Sequence, residues 1–281
     1  MPALQGVNLV TTLDHELIRS LVLAESAIAL EAGREYVVEA RVNALAKREG
    51  FPDATEFTNR LRAAPRGPLL RKLVDAMTTN ETSFFRDLHP FESLRQAVLP
   101  DLIRNRKGEN RLHVWCGAAS SGQEPYSLLM LLSEHFPELV TWNLRFIATD
   151  LSSQILTRAR AGRYSQFEVN RGLPAQLLVK YFTRQNGEWE VSPSLRRQVE
   201  FSELNLIQDW PAMPFMDLVM LRNVLIYFDS AVKRQILERV RRVMRPGGYL
   251  ILGGTETTLG LVDGFERVQL NKTTVYRLRA A

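Results

Sequence analysis

The stretch that decides the fold is Leu112–Ser127, which reads LHVWCGAASSGQEPYS. Leu112, Val114, Trp115 and Cys116 make a short, mostly apolar run of the kind a buried strand shows. Gly117, Ala118, Ala119, Ser120, Ser121 and Gly122 follow, with no side chain larger than a hydroxymethyl group. Gln123-Glu124-Pro125 then opens an amphipathic segment, Tyr126 to Phe136, with a proline near its first turn, where a missing N–H is tolerated. A strand, a turn of small residues and a helix N-terminus let a ligand approach the backbone closely. The pattern predicts a nucleotide-like cofactor at this turn.

Downstream, strands and helices alternate. Leu144–Thr149 reads as a strand ending at Asp150, Ser152–Ala161 as a helix capped by Ser152 or Ser153, and Met216–Leu221 as a strand. Asp229–Met244 is a long helix with Val232, Ile236, Val240 and Val243 on one face. Arg245-Pro246-Gly247-Gly248 ends it and Tyr249–Leu252 is again a strand. Phe265–Leu270 and Thr273–Leu278, around Asn271-Lys272, read as a closing hairpin. This alternation predicts an α/β fold, a doubly wound and mostly parallel sheet with helices on both faces, whose ligands bind at the carboxyl ends of the strands. Tyr164–Asn205 departs from it. A short helix (Pro174–Phe182), an Asn186-Gly187 hairpin signal and the strand-like Trp189–Val191 and Gln198–Phe201 predict a small β-containing insertion at about 164–203.

Upstream, residues 1 to about 107 read as helical throughout. Asp14 is placed to cap a helix running to about Leu30. Arg34–Glu49 is closed by Gly50, Asp53 caps Asp53–Ala63, and Leu69–Met77 and Pro90–Asn105 follow. The expected division is an all-α N-terminal domain over 1–88 and an α/β domain over 89–281. Phe57–Val74 carries Arg60, Arg62, Arg66, Arg71 and Lys72 and no acidic residue. Such a run is either a solvated helix face or a docking surface for an acidic helix or nucleic acid.

Composition narrows the classes. The 281 residues are 45% hydrophobic and 24% charged, as in a globular protein. No apolar run approaches the roughly 18–20 residues of a membrane span. The N-terminal MPALQGVNLVTTLDHE lacks the basic and apolar regions of a signal peptide. A lone cysteine, Cys116, excludes internal disulfides and Cys-based zinc clusters and fits a reducing cytoplasm. A net charge of +5 and a pI near 9.5 favour an acidic partner weakly.

A pyrophosphate-binding turn usually reads G-x-G-x-x-G, and here only Gly117 and Gly122 are present. The ligand expected is therefore one without a pyrophosphate. Asp150 ends the second strand, where an acidic residue takes ribose hydroxyls; the alternative is an N-cap of the next helix. Glu124 either complements a helix dipole or meets a cationic group on the ligand.

Five motifs, TNETSFFRD (Thr79–Asp87), VWCGAASSGQEPYS (Val114–Ser127), ATDLS (Ala148–Ser152), LRNVLIYF (Leu221–Phe228) and RPGGYLILGGTE (Arg245–Glu256), resemble in order and spacing those of the CheR family of chemotaxis receptor methyltransferases. The resemblance covers almost the whole chain. It implies a Rossmann-like methyltransferase sheet with a small β-subdomain behind an all-α domain, S-adenosyl-L-methionine as methyl donor, and glutamate side chains of methyl-accepting chemotaxis receptors as acceptors. It places Asn80, Thr82, Arg86, Glu124, Asp150, Asn205, Leu206, Asn223 and Val224 at the cofactor, with S-adenosyl-L-homocysteine as product and no metal. Arg86 and Tyr227 would orient groups at the transfer site. Arg60, Arg62, Arg66, Arg71 and Lys72 would dock the receptor's methylation helices. The insertion is a few residues shorter than in members that tether to a receptor C-terminal peptide, which implies an enzyme that works without the tether. A cytoplasmic monomer that neither binds nucleic acid nor enters a membrane is expected.

A glutamate carboxyl with a pKa of about 4.3 is already ionised at pH 7, so the reaction needs no general base and the four histidines need no role. The principal alternative is a nucleic-acid or other protein methyltransferase using the same cofactor. Methyltransferases acting on amino groups of bases usually carry an Asn/Asp-Pro-Pro-Tyr/Phe run after the fourth strand. Here that place reads Arg222-Asn223-Val224-Leu225-Ile226-Tyr227, and no aromatics interleave with the basic run. A nicotinamide-dependent oxidoreductase would need the missing glycine fingerprint.

Overall fold

A computed structural model of the chain describes residues 12–30, 33–270 and 272–280. Most of the N-terminal stretch read for a signal peptide, and Asn271 of the expected hairpin turn, lie outside them. The chain packs as two compact units, Met1–Thr79 and Asn80–Ala281.

The first unit is helical: α1 (Thr12–Ser26), α2 (Glu35–Arg48), α3 (Ala54–Ala63) and α4 (Pro68–Met77). Its apolar stripes meet through Ile18, Val22, Val42, Phe57, Leu61 and Leu73, all fully buried. Asp53 caps α3 as expected, accepting the Glu56 amide at 2.8 Å. Two expectations are corrected. Asp14 sits within the first turn of α1 rather than before it, and its carboxylate takes the Arg62 guanidinium at 3.0 Å. Helix α1 stops at Ser26, short of Leu30. The Ser26 hydroxyl bonds back to the Val22 carbonyl and accepts the Ile28 amide, and Ala27 turns to φ +55°. This local bonding competes with the helix and ends it.

The second unit opens with α5 (His89–Ser93), which continues through a π-helical turn, Leu94–Val98, into α6 (Leu99–Arg106). Then come β1 (Arg111–Gly117), α7 (Gln123–His135), β2 (Asn143–Asp150), α8 (Ser153–Ala161), β3 (Arg163–Tyr164), α9 (Gln166–Asn170), α10 (Ala175–Tyr181), β4 (Phe182–Gln185), β5 (Glu188–Val191), α11 (Pro193–Arg196), β6 (Val199–Glu203), β7 (Met216–Leu221), α12 (Ser230–Val243), β8 (Met244–Leu252), β9 (Phe265–Leu270) and β10 (Thr273–Leu278). Seven strands form one sheet in the order β6-β2-β1-β7-β8-β10-β9, parallel from β6 to β8 with β10 and β9 antiparallel at one end. β7 is buried at every residue, as a central parallel strand must be. The strand order turns at β1, with β2 on one side and β7 on the other, and this is the ligand-binding position of a doubly wound sheet.

The insertion is the three-stranded sheet β3-β5-β4. The Asn186-Gly187 pair forms its hairpin turn, with both residues at positive φ. The strand expected there at Gln198–Phe201 is instead β6, which pairs parallel with β2 at the edge of the main sheet. Its partner supplies the reason: Phe146, Ile147 and Ala148 of β2 offer an unpaired strand edge, and β6 covers it.

Candidate functional site

Register brings five strand ends together. Gly117 of β1 is level with Thr149 and with Leu221, Leu221 is level with Leu252, and Asp150 is level with Glu203. The turn after β1 is tightly wound, with Ala118 at φ +55°, Ser120 at +51° and Gly122, the cap of α7, at +94°. A Cβ on Gly122 would press on Ala159, Tyr126 and the Tyr164 hydroxyl at 3.1–3.2 Å, so the turn admits only glycine there without a shift.

Backbone hydrogen bonding in this turn tests what it can hold. The Ala119 amide donates to the Thr149 carbonyl, the Gly122 amide to the Ala119 carbonyl, and the Ser120 amide to Asp150 Oδ2 at 2.8 Å. Three amides that could cradle a phosphate are therefore taken, and Glu124 adds a negative charge in the first turn of α7. The turn is unsuited to a pyrophosphate and fits a ligand bearing hydroxyls and positive charge.

Asp150 is buried at the end of β2. Its two oxygens accept the Ser120 and Ser152 amides, and burial pushes its carboxyl above the ordinary 3.8 against those bonds. The next helix is capped by Ser152, so Asp150 is not an N-cap. The Asp150 carbonyl also takes the Leu204 amide, bringing the Leu204–Leu206 stretch alongside. Asn205 Oδ1 closes a local turn onto the Ile207 amide, and buried Leu206 uses its carbonyl to hold the Trp210 indole.

Glu124 points to Arg222, with the Arg222 guanidinium at 2.8 Å from Oε2. The same guanidinium reaches Asp87 at 2.7 Å and the Arg86 carbonyl at 3.0 Å and lies over the Phe91 ring, while its Nε has no partner among the described residues. Burial raises the Glu124 carboxyl from 4.5, Arg222 and Arg86 draw it down, and Glu256 raises it again. Arg222 was not among the expected site residues. The available signal was a charged residue directly after the apolar run Leu218–Leu221.

Residues 80–87 form a strap against these elements. The Ser120 hydroxyl donates to the Asn80 carbonyl, the Phe85 amide donates to the Ser127 hydroxyl, and Arg86 bonds the Glu81 carbonyl. Phe84 is fully buried and packs edge-on against Tyr164 and Phe182 of the small sheet, with centroids at 5.0 and 5.6 Å. A Cβ on Gly172 would fall 2.0 Å from the Phe84 carbonyl oxygen, so only glycine allows this approach. Thr82 is half-buried on the strap.

Asn223 (φ +57°) and Val224 follow Arg222, and their amides, with that of Leu225, point to the carboxylate of Glu256. Tyr227 is half-buried in the 3-10 turn Leu225–Tyr227. The structure thus brings Asn80, Arg86, Glu124, Asp150, Asn223 and Val224 to one end of the sheet, with Arg222 and Glu256 as unexpected members. Asn205 and Leu206 adjoin through Asp150. Among the described residues no group of His, Cys, Asp and Glu could hold a metal ion, and no helix is long and apolar enough to cross a membrane.

On the helical unit, Arg62 is bound to Asp14 and Lys72 to Glu49. The side chains of Arg60, Arg66 and Arg71 are exposed without ion-pair partners among the described residues.

Residues 13–78 match the family model for the CheR methyltransferase all-alpha domain, and residues 80–274 that for the CheR methyltransferase SAM-binding domain. A chemotaxis protein methyltransferase (Cher2) of Pseudomonas putida is 40% identical over 271 residues, 95% of this chain and 98% of that protein. Chemotaxis protein methyltransferase 1 of Pseudomonas aeruginosa is 42% identical over the same coverage. The solved N-methyltransferase NodS of Bradyrhizobium japonicum is 14% identical, with 70% of this chain and 100% of that one covered at a TM-score of 0.36. With both family models matched in order over most of its length, the chain belongs to the CheR methyltransferase family and is a methyltransferase that uses S-adenosylmethionine.

Proposed function

We propose that this enzyme methylates glutamate side chains in the cytoplasmic helices of chemotaxis receptors, forming methyl esters. The observation that carries the reading is that the chain spans both domains of relatives named chemotaxis protein methyltransferase, 95% of its own length and 98% of theirs. The site chemistry agrees with it. An acceptor carboxylate is ionised at neutral pH, so the residues at the strand ends have alignment to perform and no proton to remove.

When bound, S-adenosylmethionine supplies a methyl group made electrophilic by its sulfonium charge. Asp150, whose oxygens are fixed by the Ser120 and Ser152 amides, would accept from the ribose hydroxyls. Glu124, turned by Arg222, would meet the cofactor's ammonium group. Asn80, Thr82 and Arg86 of the strap would close over one side, Asn205 and Leu206 would border the adenine, and Asn223 and Val224 would line the reacting end. Arg86 and Tyr227 would orient the acceptor carboxylate. Good positioning of two reacting groups supplies about 7–11 kcal/mol.

Arg60, Arg66 and Arg71, with no ion-pair partner among the described residues, are the better candidates for docking an acidic receptor helix; Arg62 and Lys72 are already engaged. The test is radiolabelled methyl transfer to a panel of receptor cytoplasmic fragments with Glu-to-Ala acceptors as controls. Labelling that is lost with the acceptor glutamates is expected. Labelling that survives their removal, or appears only on RNA or DNA, overturns the assignment.

A further inference from the structure

We infer that Glu256 is a positioning residue for methyl transfer: its carboxylate sets the conformation of the turn 223–225 at the reacting end. This rests on the reading of Asn223 and Val224 given above. Oε2 accepts the Asn223 amide at 2.8 Å and the Gly253 amide at 2.6 Å; Oε1 accepts the Val224 amide at 2.9 Å and the Leu225 amide at 2.7 Å. Four backbone donors thus converge on one carboxylate, three of them consecutive, the arrangement that binds anions in backbone nests. Here the anion is covalently part of the chain.

The amides of 223–225 are not satisfied within the turn itself, whose own backbone bonds use the Val224 and Leu225 carbonyls. Asn223 is left-handed at φ +57°, a conformation that asparagine tolerates better than most residues with a side chain and takes up singly. Three successive amides aimed at one point would otherwise lose their acceptors. Space has been left for the carboxylate: a Cβ on Gly253 would lie 2.6 Å from Glu256 Oε2 and 3.0 Å from the Asn223 nitrogen. Glu256 is itself fixed, its amide on the Gly253 carbonyl and its own carbonyl accepting from the Tyr276 hydroxyl. On the other side the preceding residue, Arg222, is tied to Glu124 and Asp87. The turn is held from the segment after β8 by Glu256 and from α7 and the strap through Arg222. A residue that clamps a turn in this way acts on the geometry of the transfer and much less on affinity for the rest of the cofactor.

The test is Glu256→Gln, which keeps the size and replaces acceptor lone pairs with an NH2 group facing the amides. In the ligand-free protein, hydrogen exchange at Asn223, Val224, Leu225 and Gly253 should accelerate about tenfold or more, with the remaining sheet amides unchanged. With receptor fragments, kcat should fall by about 10²-fold, the scale of a small misplacement, while the KM for S-adenosylmethionine rises less than about fivefold. Should that variant fold poorly, Glu256→Ala serves with added formate, which should restore both protection and kcat. Unchanged exchange at the four amides overturns the inference, as does a kcat within about threefold of wild type, or a loss that tracks thermal stability and resists formate. Failure of the wild-type enzyme to label any receptor fragment would count against the proposed substrate alone, because the exchange measurement requires none.

Discussion

At the amino ends of the strands, Asp217 is fully buried and bound to Arg106 at 2.6 Å, with the His113 amide on its second oxygen. Arg245 lies 3.8 Å away and is gripped by both oxygens of Glu109. At the carboxyl ends of the same strands, Asp150 and Glu256 are also buried, yet neither has an ion-pair partner among the described residues. Their oxygens bond to backbone amides instead. A fully buried carboxylate matched by guanidinium groups, as Asp217 is, has no exposed face to offer a ligand. One matched by amides bends the chain around it. The first end closes the sheet, and the second holds loops in shape under a negative potential, a surrounding suited to a ligand that carries sulfonium and ammonium groups.

Breaking the closed end should have the largest effect on stability. Asp217→Ala removes the fully buried partner of half-buried Arg106 and should cost about 3 kcal/mol in chemical denaturation, with the affinity of the folded protein for S-adenosylhomocysteine unchanged. A comparable loss of affinity would mean that the two ends are not independent. At the open end, Asp150→Asn should weaken S-adenosylhomocysteine binding by about 10–100-fold in calorimetry, the value of a charged hydrogen bond, while moving the denaturation midpoint far less than Asp217→Ala does.

Acidity sharpens the same contrast. Burial raises both Glu124 and Asp150 above 4.5 and 3.8, so affinity for S-adenosylhomocysteine should begin to fall at a pH above those ordinary values as the solution is acidified. The sign for folding is opposite. A carboxyl with a raised folded pKa adds stability that is complete below its unfolded pKa and is lost as pH rises through the folded one. Calorimetry and denaturation followed upward from the ordinary carboxyl values of 3.8 and 4.5 should therefore show the two trends diverging in these groups' contribution, and parallel trends would refute it. The smallest effect belongs to Cys116, fully buried in β1 with its thiol pushed up by burial. It should stay inert to thiol reagents until the protein is unfolded, and rapid labelling of the native protein would show the sheet to be looser than drawn.

Local features were readable because they are local. The strand, small-residue turn and helix at 112–127, the caps at Asp53 and Ser152, and the Asn186-Gly187 hairpin all declare themselves within a few residues. The position of Asp150 at the end of β2 was readable because the apolar run before it stops there. Gln198–Phe201 was assigned to the wrong sheet because a short strand carries no record of its partner, and β2 lies some fifty residues earlier in the chain. Arg222 and Glu256 escaped notice for the same reason. Arg222 draws its meaning from Glu124 and Asp87, 98 and 135 residues away, and Glu256 from amides 31–33 residues away.

The anchoring of Phe84 has a consequence for how the enzyme comes into being. Its ring rests on Tyr164 and Phe182, and its carbonyl abuts Gly172, so the strap's supports are synthesised some eighty to a hundred residues after it. On a ribosome, residues 80–87 emerge with nothing to hold them, and the small sheet must fold before they can settle. The strap therefore reaches its place only after residues 164–182 have been made and folded, late in the synthesis of the chain.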